Sequence, residues 1–89
     1  MSLRSIFKDS LLVVKDINDC RKINSNKLLE IYGLYKQITC GNVEFNNDFS
    51  TLKEKRMWEN WKRFENTSEI DGMKLFIEIV NKMLHVLND

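Results

Sequence analysis

The chain has 89 residues, 43% hydrophobic and 30% charged, with 14 basic side chains against 13 acidic. That length holds one domain with one modest core and leaves no room for a second fold, and the composition belongs to a soluble globular chain rather than a disordered one. A formal net charge of +1 argues against a general nucleic-acid binder, which needs a basic excess to displace counterions.

No run approaches the roughly 18 consecutive apolar residues that cross a bilayer. The opening Met1-Ser2-Leu3-Arg4-Ser5-Ile6-Phe7-Lys8-Asp9 places charges where a signal peptide needs an apolar core. A cytoplasmic protein is expected, with Cys20 and Cys40 as free thiols in a reducing compartment. With His85 the only histidine, a zinc site lacks a fourth ligand of the usual kind.

In chain order, the first helical pattern runs from about residue 3 to 17, with Phe7, Leu11, Val14 and Ile17 on one stripe. Ile6, Leu12 and Val13 widen that surface beyond what an amphipathic helix needs. The polar residues 18–24 read as a loop. Asn24 or Ser25 can cap a second helix reaching about Cys40, with Leu28, Ile31, Tyr32, Tyr35 and Ile38 predicted on one side. Gly41-Asn42 stops it, since both tolerate the left-handed conformation that ends helices.

Residues 42–50 form an asparagine-rich connector, with Val43, Phe45 and Phe49 expected to anchor it onto the core. It is long for a link between antiparallel neighbours, which predicts that helices two and three run in the same general direction. Thr51 with Glu54 makes a capping box for the third helix, along which Met57, Trp58, Trp61 and Phe64 recur. Thr67-Ser68 caps the fourth, with Asp71 in its first turn. Its stripe is Ile70, Met73, Phe76, Ile77, Val80, Met83, Leu84 and Leu87. Proline is absent, glycine occurs three times, and no stretch alternates with period two, so the prediction is an all-α four-helix bundle, one domain over residues 1–89.

Catalytic constellations are missing from the pattern. His85 stands alone, serines fall at caps, and Gly33, Gly41 and Gly72 are isolated rather than gathered in a phosphate loop. The carboxylates scatter along helix faces. No enzyme is expected. Trp58 and Trp61 read as packing before ligand stacking. The run Lys53-Glu54-Lys55-Arg56 balances between a solvated helix start and a phosphate site, because cations there oppose the macrodipole. The most pointed feature is Tyr32-Gly33-Leu34-Tyr35-Lys36-Gln37. Positions i, i+3 and i+4 share one face, so two rings and an ammonium group converge there, suiting a flat heterocycle that carries phosphates.

Residues 28–37, the run Trp58-Glu59-Asn60-Trp61, and Thr67-Ser68 followed by Met73-Lys74 resemble the acyl-CoA-binding protein family. The resemblance covers Phe7 to Leu84 and is strongest at Tyr32, Tyr35, Lys36 and Gln37, ahead of Thr39 and Gly41. It implies an up-down-down-up bundle that binds long-chain acyl-CoA without catalysis and without a cofactor, as a carrier and buffer; a monomer is expected because a bundle this small can use its apolar surface for itself and its ligand. It further implies that Tyr32 and Lys36 hold the ribose 3′-phosphate and that Tyr35 lies against the adenine. By the same resemblance Lys15 lies near the ligand, Leu28 and Leu29 contact the acyl chain, and the intervening Gly33 and Leu34 join the site.

The chain departs from that pattern in places. Met57 stands where the family usually has a phosphate-binding lysine, with Lys53 and Arg56 as candidate replacements. Phe76 stands in place of a tyrosine, and Leu11 in place of a small residue. The expected partners are long-chain acyl-CoA and, transiently, acyl-CoA-using enzymes or membranes, with no nucleic acid. The alternative is a helical interaction module that docks a partner helix on the aromatic face of helix two.

Overall fold

A computed structural model describes residues 2–88, with side chains described through residue 86. It contains α1 (Leu3–Asp19), α2 (Ser25–Cys40), α3 (Leu52–Arg63) and α4 (Glu69–Asn88), and no strand among the described residues. No described helix is long and apolar enough to cross a membrane. The expected place of Leu87 on the α4 stripe lies outside the described side chains.

Each helix begins on a side chain that satisfies an orphan amide of its first turn. Ser2 accepts from the Ser5 amide at 3.2 Å, and Asn24 rather than Ser25 caps α2, accepting from Lys27 at 2.8 Å. Thr51 accepts from Glu54 at 3.1 Å, while the Glu54 carboxylate reaches back to the Ser50 amide at 2.9 Å. Ser68 accepts from the Asp71 amide at 3.1 Å. Gly41 ends α2 at φ 81°, as the sequence suggested. The first helix outruns its predicted end at residue 17, carrying Asn18 and Asp19 into its last turn, and the chain reverses at Arg21 with φ 56°.

The directions follow from which residues meet. Arg4 pairs with Glu69 near the starts of α1 and α4, Phe7 meets Phe76 further along, and Ile17 and Met83 line one cleft near the ends, so these helices run parallel. Ile38, late in α2, lies against Gly72, early in α4, so that pair is antiparallel. Arg56 lies beside Leu29, Asn60 beside Gly33, and the Gln37 amide donates to the Thr67 carbonyl just beyond α3, so α2 and α3 are parallel. The result is up-down-down-up. The connector of residues 42–50 is long because it must return the chain to the same end.

The core is Phe7, Val14, Ile31, Leu34, Ile38, Phe64, Met73, Phe76 and Val80. Among the described residues, α1 and α2 each pack on α4 but make no close approach to one another, and α3 packs on α2 alone. Two expectations need correction. The core side of α2 is Ile31, Leu34 and Ile38, with Leu34 fully buried, while Tyr35 is exposed. The stripe expected on one side of α2 therefore splits, Ile31 and Ile38 joining Leu34 in the core while Tyr35 stays outside it. Phe45 is 82% exposed and anchors nothing in the core. The connector is held instead by indole hydrogen bonds, Trp58 Nε1 donating to the Glu44 carbonyl at 2.9 Å and Trp61 Nε1 to Gly41 at 2.8 Å. Phe49 leans on the Trp58 ring, 5.6 Å between centroids.

Candidate functional site

α2 places its side chains in three sectors. Ile31, Leu34 and Ile38 enter the core, Gly33 meets α3, and Leu28, Tyr32, Tyr35 and Lys36 recur at one-turn spacing on the remaining side. Tyr35 is exposed there, while Leu28, Tyr32 and Lys36 are half-buried. The face is therefore apolar at its start, aromatic in the middle and cationic at its end.

Gly33 sets how close α3 comes. A Cβ at this position would fall onto the Asn60 carbonyl and within 2.7 Å of the Trp61 nitrogen, so only glycine lets the two backbones touch. That approach brings Trp61 under Lys36, whose Nζ stands 5.0 Å from the ring centroid. Lys62 stands over Trp58 in the same way at 4.9 Å. The Lys36 charge is thus held beside the tyrosines by a cation–π contact, worth about 0.5–1 kcal/mol where exposed.

A polar bolt fixes the same end of α2. Gln37 is only 4% exposed, and its Nε2 donates to Asn42 Oδ1 at 2.9 Å and to the Thr67 carbonyl at 3.1 Å. Asn42 Oδ1 also accepts from the Asn66 amide at 2.7 Å, and its Nδ2 donates to Asn66 Oδ1 at 3.1 Å. The ends of α2 and α3 are tied through hydrogen bonds that run from the buried Gln37 out to the exposed Asn42 and Asn66.

The predicted site residues divide. Leu28, Tyr32, Tyr35 and Lys36 share the face just described. Leu29 is half-buried and lines a cleft with Arg56, Asn60 and Arg63. Met57 is half-buried on α3, whereas Lys53 and Arg56 are exposed. Lys15 is exposed on α1, which does not approach α2 closely, so the space between them is open. Gly33, Leu34 and Phe76 are buried and offer no surface to a ligand. Leu34 and Phe76 are core residues, Phe76 meeting Phe7 edge-on at 5.1 Å, and Gly33 is a spacer for α3. Sequence reasoning left Trp61 out of the site, although it carries Lys36. The lysine and the tryptophan were both visible, but their contact depends on the register between α2 and α3. No group of three or more histidine, cysteine or acidic side chains able to hold a metal occurs among the described residues.

Fold and face together define a small all-helical domain that presents an aromatic and cationic strip from its second helix. Residues 6–80 match the family described as "Acyl CoA binding protein", and the chain belongs to that family. It is 33% identical over 64 residues to an acyl-CoA-binding protein of Saccharomyces cerevisiae, covering 71% of this chain and 74% of that one. It is 32% identical over 88 residues to acyl-CoA-binding domain-containing protein 6 of Arabidopsis thaliana, covering 97% and 92%. The crystal structure of Oryza sativa acyl-CoA-binding protein 2 superposes with a TM-score of 0.86 at 30% identity, covering 98% of this chain and 96% of that one.

Proposed function

We propose that the chain binds medium- to long-chain acyl-CoA thioesters and acts as an intracellular carrier and pool buffer for them, without catalysis. The observation that carries this reading is the family match across residues 6–80. The α2 face supports it. Tyr32 and Lys36 would hold the ribose 3′-phosphate, Tyr35 would lie against the adenine, and Leu28 and Leu29 would contact the acyl chain. Lys15, Lys53 and Arg56 are exposed cations available to the remaining phosphates. Met57 adds apolar surface and no charge at its position.

The energetics suit such a ligand. Burying an acyl chain gains about 0.8 kcal/mol per methylene, so a sixteen-carbon tail contributes roughly 10 kcal/mol. Association and ordering consume much of this and leave nanomolar affinity within reach. Few placed cations are needed, in keeping with a net charge of +1. The protein would work as a cytoplasmic monomer, meeting acyl-CoA-using enzymes or membranes transiently.

Calorimetry with acyl-CoAs of increasing length tests the reading. Affinity is expected to rise about fourfold per methylene until the groove fills. Tyr32→Ala and Lys36→Ala should each weaken binding about tenfold, the worth of one hydrogen bond to a charged group, with melting close to the parent's. Absence of binding to palmitoyl-CoA at micromolar concentration by the folded protein would overturn it.

A further inference from the structure

With the head group held late in α2, at Tyr32 and Lys36, the acyl chain begins one turn earlier, over Leu28 and Leu29. What stands beyond Leu29 decides how much chain the site can hold. Leu29 opens onto a cleft on which it is the one apolar side chain among the described residues, the other walls including Arg56, Asn60 and Arg63. Past that cleft, between the end of α1 and the start of α2, lies an apolar hollow of about 590 Å³ floored by Ile17, Ile23, Leu75, Ile79 and Met83. Leu29 does not line the hollow, and Ile79 and Met83 do not line the polar cleft.

Three charged side chains, Lys27, Glu30 and Arg63, border both spaces. The Glu30 carboxylate stands 3.4 Å from Lys27 Nζ and 3.8 Å from Arg63 Nη1, with its side chain only 21% exposed. The triad ties the start of α2 to the end of α3 across the passage from Leu29 to the hollow. A methylene pressed against it strips water from charged groups and finds no apolar neighbour, so the usual gain from burial is lost. Tyr32 and Lys27 are five residues apart, about 8 Å along the helix, a span that a medium-length chain covers.

We infer that the Lys27–Glu30–Arg63 triad is a chain-length stop, with Glu30 as its specificity-determining residue. The stop presupposes acyl-CoA binding at the α2 face and sets the preference of that site. Medium-chain thioesters end at the triad, and longer ones bind with their terminal methylenes left in water. The hollow over Ile79 and Met83 is space that the chain does not reach while the triad is closed. An apolar residue in place of Glu30 joins the two spaces and lengthens the groove.

The test is calorimetry with octanoyl-, decanoyl-, dodecanoyl- and palmitoyl-CoA, each below its micelle concentration, on the parent and on Glu30→Leu. In the parent, affinity should climb about fourfold per methylene from octanoyl to decanoyl, and palmitoyl should then bind no more than about threefold tighter than decanoyl. Glu30→Leu should leave octanoyl affinity unchanged and tighten palmitoyl binding at least about tenfold. With palmitoyl-CoA, amide shifts of the ¹⁵N-labelled protein should appear at Ile79 and Met83 in the variant and not in the parent. Glu30→Gln keeps the shape without the charge and should give part of the same gain. It decides alone if the leucine variant fails to fold. The stop is overturned if the parent's rise runs unbroken to palmitoyl, if its Ile79 and Met83 amides already respond, or if neither Glu30 variant changes the ratio of palmitoyl to octanoyl affinity. Those results leave the carrier reading standing, whereas absence of binding by every thioester removes both.

Discussion

The third and fourth helices are held in the bundle by different physics. α4 is the central beam, burying Met73, Phe76 and Val80 and receiving both α1 and α2. Within Leu52–Arg63, α3 has no buried residue. It is kept in place by the backbone approach at Gly33, by two indole hydrogen bonds and by the Gln37–Asn42–Asn66 bolt. One side of the molecule is glued by apolar area and the other is stitched by placed polar groups. Apolar burial is non-directional, whereas hydrogen-bonded stitches fail when their geometry moves. The candidate face on α2 lies where the stitched side begins.

The contrast can be broken from the glued side first. Phe76→Ala removes a ring that is 1% exposed and edge-on to Phe7. It should cost about 3–5 kcal/mol, most of what a domain of this size can spare. Urea denaturation would show a large fall in midpoint and loss of cooperativity.

Gly33→Ala strikes the stitched side. The added methyl must push the Asn60 and Trp61 backbone away, an overpacking strain of about 1–3 kcal/mol. Near-UV circular dichroism from the tryptophans should weaken more than the helical signal does.

Thr51→Ala sharpens the comparison at smaller scale. Losing the oxygen that accepts the Glu54 amide should cost about 1 kcal/mol. Because α3 lacks core burial, faster hydrogen exchange should be confined to α3 while α4 stays protected. Phe45→Ser should change stability by no more than about 0.5 kcal/mol, its ring being largely in solvent. A larger loss by thermal melting would mean that the connector is anchored after all.

Local signals carried most of the architecture. Caps at Thr51 and Ser68, the stop at Gly41 and the helical period of the apolar residues all act within a few positions, so they can be read along the chain. Even the parallel course of α2 and α3 was readable, because a nine-residue connector is longer than a reversal needs. What could not be read depends on side chains meeting across helices. Leu34 looked like part of a ligand face because it lies between the two tyrosines, yet a 100° step per residue turns it into the core. Phe76 met the same fate. Phe45 was assigned to the core for its hydrophobicity alone, while the tryptophans supplied the anchoring through their N–H groups. The half-buried Glu30 occupies a register position shared with Leu34 and Gln37, and nothing in the linear pattern announced its pairing with Arg63 across to α3.

The stacking of Lys36 on Trp61 has an optical consequence. An ammonium group above an indole perturbs its excited state, so any phosphate that draws the lysine aside alters the emission of that one fluorophore. Trp58 sits beneath Lys62 on the same helix, outside the Lys36 contact. If Lys36 holds a phosphate as proposed, the single indole emission of a Trp58→Phe variant would report occupancy in a cuvette without a dye.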